Sequence, residues 1–171
     1  MPATHPRRDY DSLLNRFQTA GLLPAPARED RMRQVADALW DATGTRGVSW
    51  IGFYTKPAGR DEMILGPRRD KPACSPIGLH GMCGRCWLER RPILVADIAT
   101  LGKNYIACDP RDKSEVVIPL FEQDGGCWGV LDADSYETNS FETADVVGLT
   151  ALVERAGLSA KRGERAEILR L

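Results

Sequence analysis

The sequence predicts an α+β domain, a central antiparallel sheet with helices towards both ends of the chain. Apolar residues recur at nearly helical spacing near both termini, and β-branched and aromatic runs fill the middle. Two of those runs flank the turn sequence Asp124-Gly125-Gly126. The order of elements excludes simple βαβ repetition and argues against a thioredoxin-type arrangement. A length of 171 residues suits one domain, able to bury on the order of 70% of its unfolded surface without disulfide or metal. The expected boundaries are a disordered stretch over 1–8, a single domain over 9–162, and a charged tail over 163–171 that can extend the last helix.

Over residues 9–23, Tyr10, Leu13, Leu14, Phe17 and Leu22 form one face of a first helix, which Asp11 or Ser12 can cap and Pro24 and Pro26 stop. A second helix covers 27–40 on Met32, Val35, Ala36, Leu39 and Trp40, and Gly44 and Gly47 end it. Residues 48–54 change to strand, and 62–65 pair with them across a turn at 57–61. Residues 66–72 are loop by composition, with strand character returning briefly at Ala73 and Cys74. A helix over 82–90 is broken by Pro92; a short strand at 93–95, a long loop over 99–113, a buried strand at 115–121 and its hairpin partner at 127–133 follow. The last helix covers 142–161 on Val146, Val147, Leu149, Leu152 and Val153.

Net charge of -1, with 43% hydrophobic and 27% charged residues, gives no long-range pull toward nucleic acid or anionic lipid. No stretch approaches the roughly 18 apolar residues of a membrane span, and the opening residues lack a signal peptide's apolar core. A cytoplasmic location is expected, with neither nucleic acid nor membrane as partner. Five cysteines cannot all pair within one chain, and in a reducing compartment clustered thiols are more often catalytic or metal-binding than structural.

Cys74, Cys83, Cys86 and Cys108 fall within 71–120. Cys83-Gly84-Arg85-Cys86 is a C-x-x-C at the start of the third expected helix, where the dipole, the free amides and Arg85 favour a Cys83 thiolate. The neighbouring glycines suggest an open backbone approach there, while Cys86 reads equally as a small buried residue. Cys108 lies in the long loop, where no core packing requires a thiol. Cys127, at the hairpin, reads as structural.

Glu115, Asp132 and Asp134 make a second set. Strand alternation puts Asp132 and Asp134 on one face, where like charges raise one pKa and leave a carboxyl able to donate a proton. Two acids on one face can also recognise an ammonium group. Zinc held by His80, Cys83, Cys86 and Cys74 or Cys108 is the rival use of the same thiols, on the weak signal of a single C-x-x-C.

Trp50-Ile-Gly-Phe-Tyr54, Lys71-Pro-Ala-Cys74, Gly81-Met-Cys83-Gly84, Ile106-Ala-Cys108-Asp109, Ser114-Glu115-Val-Val-Ile-Pro119 and Gly129-Val-Leu-Asp132-Ala-Asp134-Ser135 occur in that order. In these pieces the chain resembles the GAF-domain family of free methionine-(R)-sulfoxide reductases. The resemblance implies a six-stranded antiparallel sheet flanked by helices, a homodimer, no bound cofactor or metal, and reduction of free methionine sulfoxide with electrons from thioredoxin, indirectly from NADPH. It implies Cys108 as the attacking thiol, Cys74 as the resolving one, and Cys83 in a resolving or directly catalytic role. Glu115, Asp132 and Asp134 are implied to bind the ammonium group and protonate the sulfoxide oxygen, and Trp50 and Tyr54 to wall the methyl group.

The resemblance also implies a mechanism. Thiolate attack on sulfur with protonation of the departing oxygen leaves a cysteine sulfenic acid, which a second thiol converts to a disulfide. Between Cys74 and Cys83 the chain is shorter than the family pattern, and Cys86-Trp87 stands where small residues are usual. On that difference the expected alternatives are a moved Cys83, a site constricted by Trp87, or Cys86 serving as an extra resolving thiol. A non-catalytic GAF module that binds a small molecule or senses redox state is the alternative function, and a zinc protein the third.

Overall fold

The computed structural model describes residues 8–19, 27–102, 105 and 107–171. The disorder expected over 1–8 lies outside the described residues except at Arg8, as do Leu22, Pro24, Pro26 and Ile106. Two helices come first, α1 (Tyr10–Thr19) and α2 (Arg28–Thr43), followed by β1 (Trp50–Thr55), β2 (Glu62–Arg69), β3 (Ile77–Gly78) and α3 (Met82–Glu89). Next are β4 (Ile93–Val95), a 3-10 turn at Ile98–Leu101, the hairpin β5 (Ser114–Phe121) and β6 (Cys127–Ser135), α4 (Thr143–Arg155) and β7 (Leu169–Arg170). The strands make one sheet in the order β3-β2-β1-β6-β5-β4-β7.

The α+β class and the antiparallel centre agree with the sequence; the edges differ from it. Ala73 and Cys74 are not strand, and the short pairing with β2 is made instead by Ile77–Gly78. The sheet has seven strands rather than six, because Leu169 and Arg170 of the charged tail pair in parallel with β4. Helix α4 accordingly stops at Arg155 and does not reach Lys161. Leu158 is buried and its carbonyl accepts the Trp128 indole N–H at 3.0 Å, which draws the chain off the helix axis.

Side-chain alternation gives the sheet two different faces. One carries Ile51, Phe53, Val116, Ile118, Leu120 and Leu131, in the same buried cluster as the apolar stripes of α1, α2 and α4. At about 1.5–3 kcal/mol for each large apolar side chain buried, this cluster supplies most of the drive to fold. The start of α1 is fixed to α4 through Asp145, which accepts from the Tyr10 hydroxyl at 2.7 Å and from Arg8 at 3.0 Å. The other face carries Trp50, Tyr54, Val117 and Val130 beneath Met82, Cys83 and Cys86 of α3. That second cluster is broken by buried carboxyls, and a cavity opens there.

Helix α3 is seated by Gly84, where an added Cβ would lie 2.3 Å from the Leu79 Cα. Backbone, unlike a flexible side-chain end, cannot swing aside. Gly84→Ala is expected to destabilise the protein by about 1–3 kcal/mol despite alanine's better helix propensity, read as a lower urea midpoint at unchanged slope.

Candidate active site

Strand register builds the floor of the cavity. On β6, Asp132 and Asp134 stand opposite Gly52 and Trp50 of β1, and opposite Val117 and Glu115 of β5. All of these positions share one face. Gly52 leaves room for the Trp50 ring, which a Cβ would meet at 2.4 Å. The loop before α3 and the loop before β5 close the sides, around a cavity of about 440 Å³ lined by Trp50, Tyr54, His80, Cys83, Cys108, Glu115, Asp132 and Asp134 among others.

The two aromatic walls also carry a loop. Trp50 and Tyr54 stand with ring centres 6.2 Å apart. The Trp50 indole N–H donates to the Lys71 carbonyl at 2.9 Å, and the Tyr54 hydroxyl to the Cys74 carbonyl at 2.8 Å. The irregular segment that bears Cys74 is thus hung from β1.

Cys74 and Cys108 are free thiols exposed at the surface. They are neighbours: the Cys74 side chain raises the Cys108 thiol and the Cys74 backbone lowers it. Partial burial, then the Cys74 thiol, pushes the Cys108 thiol up to about 12.

Cys83 is different from its expectation. It is buried, not openly approached, and its thiol donates to Asp132 Oδ2 at 3.4 Å. Burial, and after it the charges of Asp132 and Glu115, push this thiol well above its usual value. A helix dipole supplies at most about 2 kcal/mol, against burial shifts of up to about 3–5 pKa units at 1.36 kcal/mol each. Arg85 cannot help, since it pairs with Glu89 at 2.6 Å.

Cys86 is fully buried and donates to the Arg91 carbonyl at 3.3 Å, away from the residues that line the cavity. Trp87 does not constrict the site either. Its indole N–H donates to the Cys127 carbonyl at 2.7 Å, and the Lys56 ammonium lies 4.7 Å from its ring centre. The zinc set does not assemble among the described residues. There the one trio of potential ligand atoms within 4.8 Å of one another is Cys83, Glu115 and Asp132.

The carboxyls do come together. Glu115 and Asp132 are buried, and Tyr105 donates its hydroxyl to Glu115 Oε2 at 2.7 Å. Burial pushes Glu115 up to about 7, against the lowering effect of that hydroxyl. Burial first, then the charge of Glu115, holds Asp132 well above the carboxylate range, and Asp134 is raised by burial and then by Asp132. Among the described residues Asp132 Oδ1 is buried without a hydrogen-bond partner. Near neutrality the cluster therefore places a proton-bearing carboxyl beside a carboxylate.

Two participants were not found in the sequence. Asp112 lines the same cavity, accepts from the Ser49 hydroxyl at 3.0 Å, and is pushed up by burial to about 6. Tyr105, the donor to Glu115, lines that cavity too. Both belong to a loop, where no alternation rule says which way a side chain faces. The only sequence signal was the bunching of acids at 109, 112 and 115.

Protons held by the buried carboxyls make stability fall as pH rises. Glu115 is raised from 4.5 to about 7, so its contribution is complete below pH 4.5 and is lost as pH rises through about 7. The loss from this residue is on the order of 1–3 kcal/mol. The urea midpoint is expected to be higher at pH 5 than at pH 8, and Glu115→Gln to shrink that difference.

Helices on one face of a curled sheet, and a ligand-sized cavity under a short helix on the other, define a GAF-type small-molecule domain. Residues 26–159 match the family model of the GAF domain. GAF domain-containing protein A of Dictyostelium discoideum is 37% identical over 106 residues, 61% of this chain and 65% of that protein. The free methionine-R-sulfoxide reductase of Saccharomyces cerevisiae is 32% identical over 118 residues, 67% of this chain and 65% of that protein. The chain thus spans 65% of the length of these two curated relatives. The X-ray structure of free methionine-R-sulfoxide reductase from Neisseria meningitidis, in complex with its substrate, aligns with a TM-score of 0.75 at 31% identity, covering 88% of this chain and 89% of that one.

The chain belongs to the GAF-domain family. No helix among the described residues is long and apolar enough to cross a membrane.

Proposed function

We infer that the protein reduces free L-methionine-(R)-sulfoxide to methionine, taking electrons through Cys108 and Cys74. The observation that carries the reading is one cavity lined by the Cys108 thiol, which neighbours Cys74, and by a cluster of buried carboxyls with raised pKa values on its floor. Trp50 and Tyr54 offer an apolar wall to the methyl group, and the ionised acids of the cluster an anionic partner to the ammonium group. A peptide-bound residue has no such ammonium, which restricts the site to the free amino acid.

The Cys108 sulfur attacks the sulfoxide sulfur while Asp132 protonates the oxygen. The new bond between the Cys108 and substrate sulfurs and the substrate's sulfur–oxygen bond both break as the hydroxyl passes to the Cys108 sulfur, so methionine leaves and Cys108 becomes a sulfenic acid. The sulfoxide gains two electrons and the thiol loses two; the thiol's proton replaces the one Asp132 gave. Cys74 then attacks the Cys108 sulfur, its proton departs with the hydroxide as water, and a disulfide forms. A dithiol reductant of the thioredoxin class restores the pair, as in the cytoplasm, and no metal enters the sequence.

The test is methionine formation from the free R epimer with thioredoxin, thioredoxin reductase and NADPH, with the S epimer and a peptide-bound sulfoxide in parallel. Turnover confined to the free R epimer is expected. Equal turnover of the peptide, or none with any thiol donor, would overturn the assignment.

A further inference from the structure

Cys74 and Cys108 both sit on irregular segments, so neither strand nor helix geometry fixes the distance between them. Lys71 opens the segment that carries Cys74, and Asp109 follows Cys108 directly. Lys71 Nζ lies 2.7 Å from Asp109 Oδ2. The Tyr136 hydroxyl, just beyond β6, donates to the same oxygen at 3.0 Å. The Lys71 ammonium also donates to that hydroxyl and stands 4.9 Å from the ring centre.

Arg111 pairs with Asp109 at 2.8 Å as well and stands 4.6 Å from the Tyr136 ring centre, but it belongs to the Cys108 segment, so its ion pair stays within that segment. Lys71 and Tyr136 are the partners that reach across. Side-chain exposures of 31% for Lys71 and 13% for Asp109 take the pair out of the class of fully exposed ion pairs, worth a median of about 0–1 kcal/mol. With the Lys71 and Cys74 carbonyls hung on Trp50 and Tyr54, the Cys74 segment is held at both sides of its thiol.

We propose that Lys71, Asp109 and Tyr136 form a clamp that positions Cys74 against Cys108 for closure of the disulfide, rests on the functional reading above, and makes Lys71 a positioning residue. Closure requires the Cys74 sulfur to reach the Cys108 sulfenic sulfur, form the S–S bond and release water. A held pair does this as an intramolecular step, ahead of any thiol or nucleophile in solution. With the clamp opened, the sulfenic acid outlives the turnover and meets outside reagents.

The experiment generates the sulfenic acid in two ways, with one equivalent of methionine-(R)-sulfoxide and, separately, with one equivalent of hydrogen peroxide, each in the presence of dimedone. Disulfide and dimedone adduct at Cys108 are followed by mass spectrometry in wild type, Lys71→Met, Tyr136→Phe and Lys71→Arg, with melting temperatures alongside. In Lys71→Met closure is expected to slow about tenfold or more and the adduct to rise correspondingly, with a smaller effect in Tyr136→Phe. Lys71→Arg, which keeps the charge, is expected to restore most of the closure rate.

An adduct yield in Lys71→Met equal to wild type would overturn the clamp. So would slowed closure that Lys71→Arg shares in full. The peroxide arm separates the two inferences. Wild type that closes its disulfide with peroxide but releases no methionine from the sulfoxide sinks the functional reading, while the variants still decide the clamp.

Discussion

Replacing Cys108 by serine is expected to lower methionine formation by ~10³-fold or more, because the hydroxyl that remains is a far poorer nucleophile than a thiol. Cys74→Ser should behave differently. It is expected to release about one methionine per active site in a first turnover and then to stall with thioredoxin, since the sulfenic acid forms but finds no partner. Cys83→Ser is expected to keep far more activity than either. Its thiol is buried against Asp132 at 3.4 Å, and burial with two neighbouring carboxyls suppresses the thiolate. Quenched single-turnover assays, with the intermediates weighed by mass spectrometry, separate the three. A full first turnover in Cys108→Ser together with none in Cys83→Ser would move the nucleophile to the helix.

The raised Cys108 thiol, at about 12, bears on how this step starts. At neutral pH the resting thiolate is scarce, so the proton leaves during the attack. Glu115, at about 7, is in part ionised there and belongs to the same cavity. Substrate entry helps in the same direction, because an ammonium group beside the acids cancels part of the negative charge that disfavours a thiolate.

Much of this arrangement was legible from residue order. Alternation along 127–135 put Asp132 and Asp134 on one face, and the structure has both on the cavity side of β6. The Asp124-Gly125-Gly126 turn paired β5 with β6 and so brought Glu115 opposite Asp134. What failed were inferences from isolated local effects. A helix start and an arginine promised a Cys83 thiolate, but tertiary burial outweighed the dipole and Glu89 took the arginine. Trp87 looked like an intruder in the site until its indole N–H found the Cys127 carbonyl on β6. Loop residues were least legible: nothing in the spacing of Lys71 and Asp109 says that they meet, because they are joined only when two irregular segments cross.

Asp132→Asn is expected to cut the first-turnover rate by ~10²–10⁴-fold, the usual worth of a general acid, with a much smaller change in substrate affinity. The amide keeps the shape of the buried carboxyl but has no proton acidic enough to give to the sulfoxide oxygen. Without that proton, the oxygen must leave as a strongly basic anion. Asp132 is the better placed of the two buried acids for this duty, since burial and then the Glu115 charge hold it well above the carboxylate range. The two residues should therefore shape opposite limbs of the pH profile. The protonated form of Asp132 is the active one, so the first-turnover rate is level below its pKa and falls about tenfold per pH unit above it. The ionised form of Glu115 is the one that attracts an ammonium group, so substrate affinity weakens as pH falls below about 7. Asn at 132 should abolish the alkaline fall and leave the acidic weakening in place, whereas Glu115→Gln should do the reverse. Rapid-quench rates and substrate affinities over pH 5–9 would read both limbs, and an unaltered alkaline fall in Asp132→Asn would transfer the donor role to Asp134.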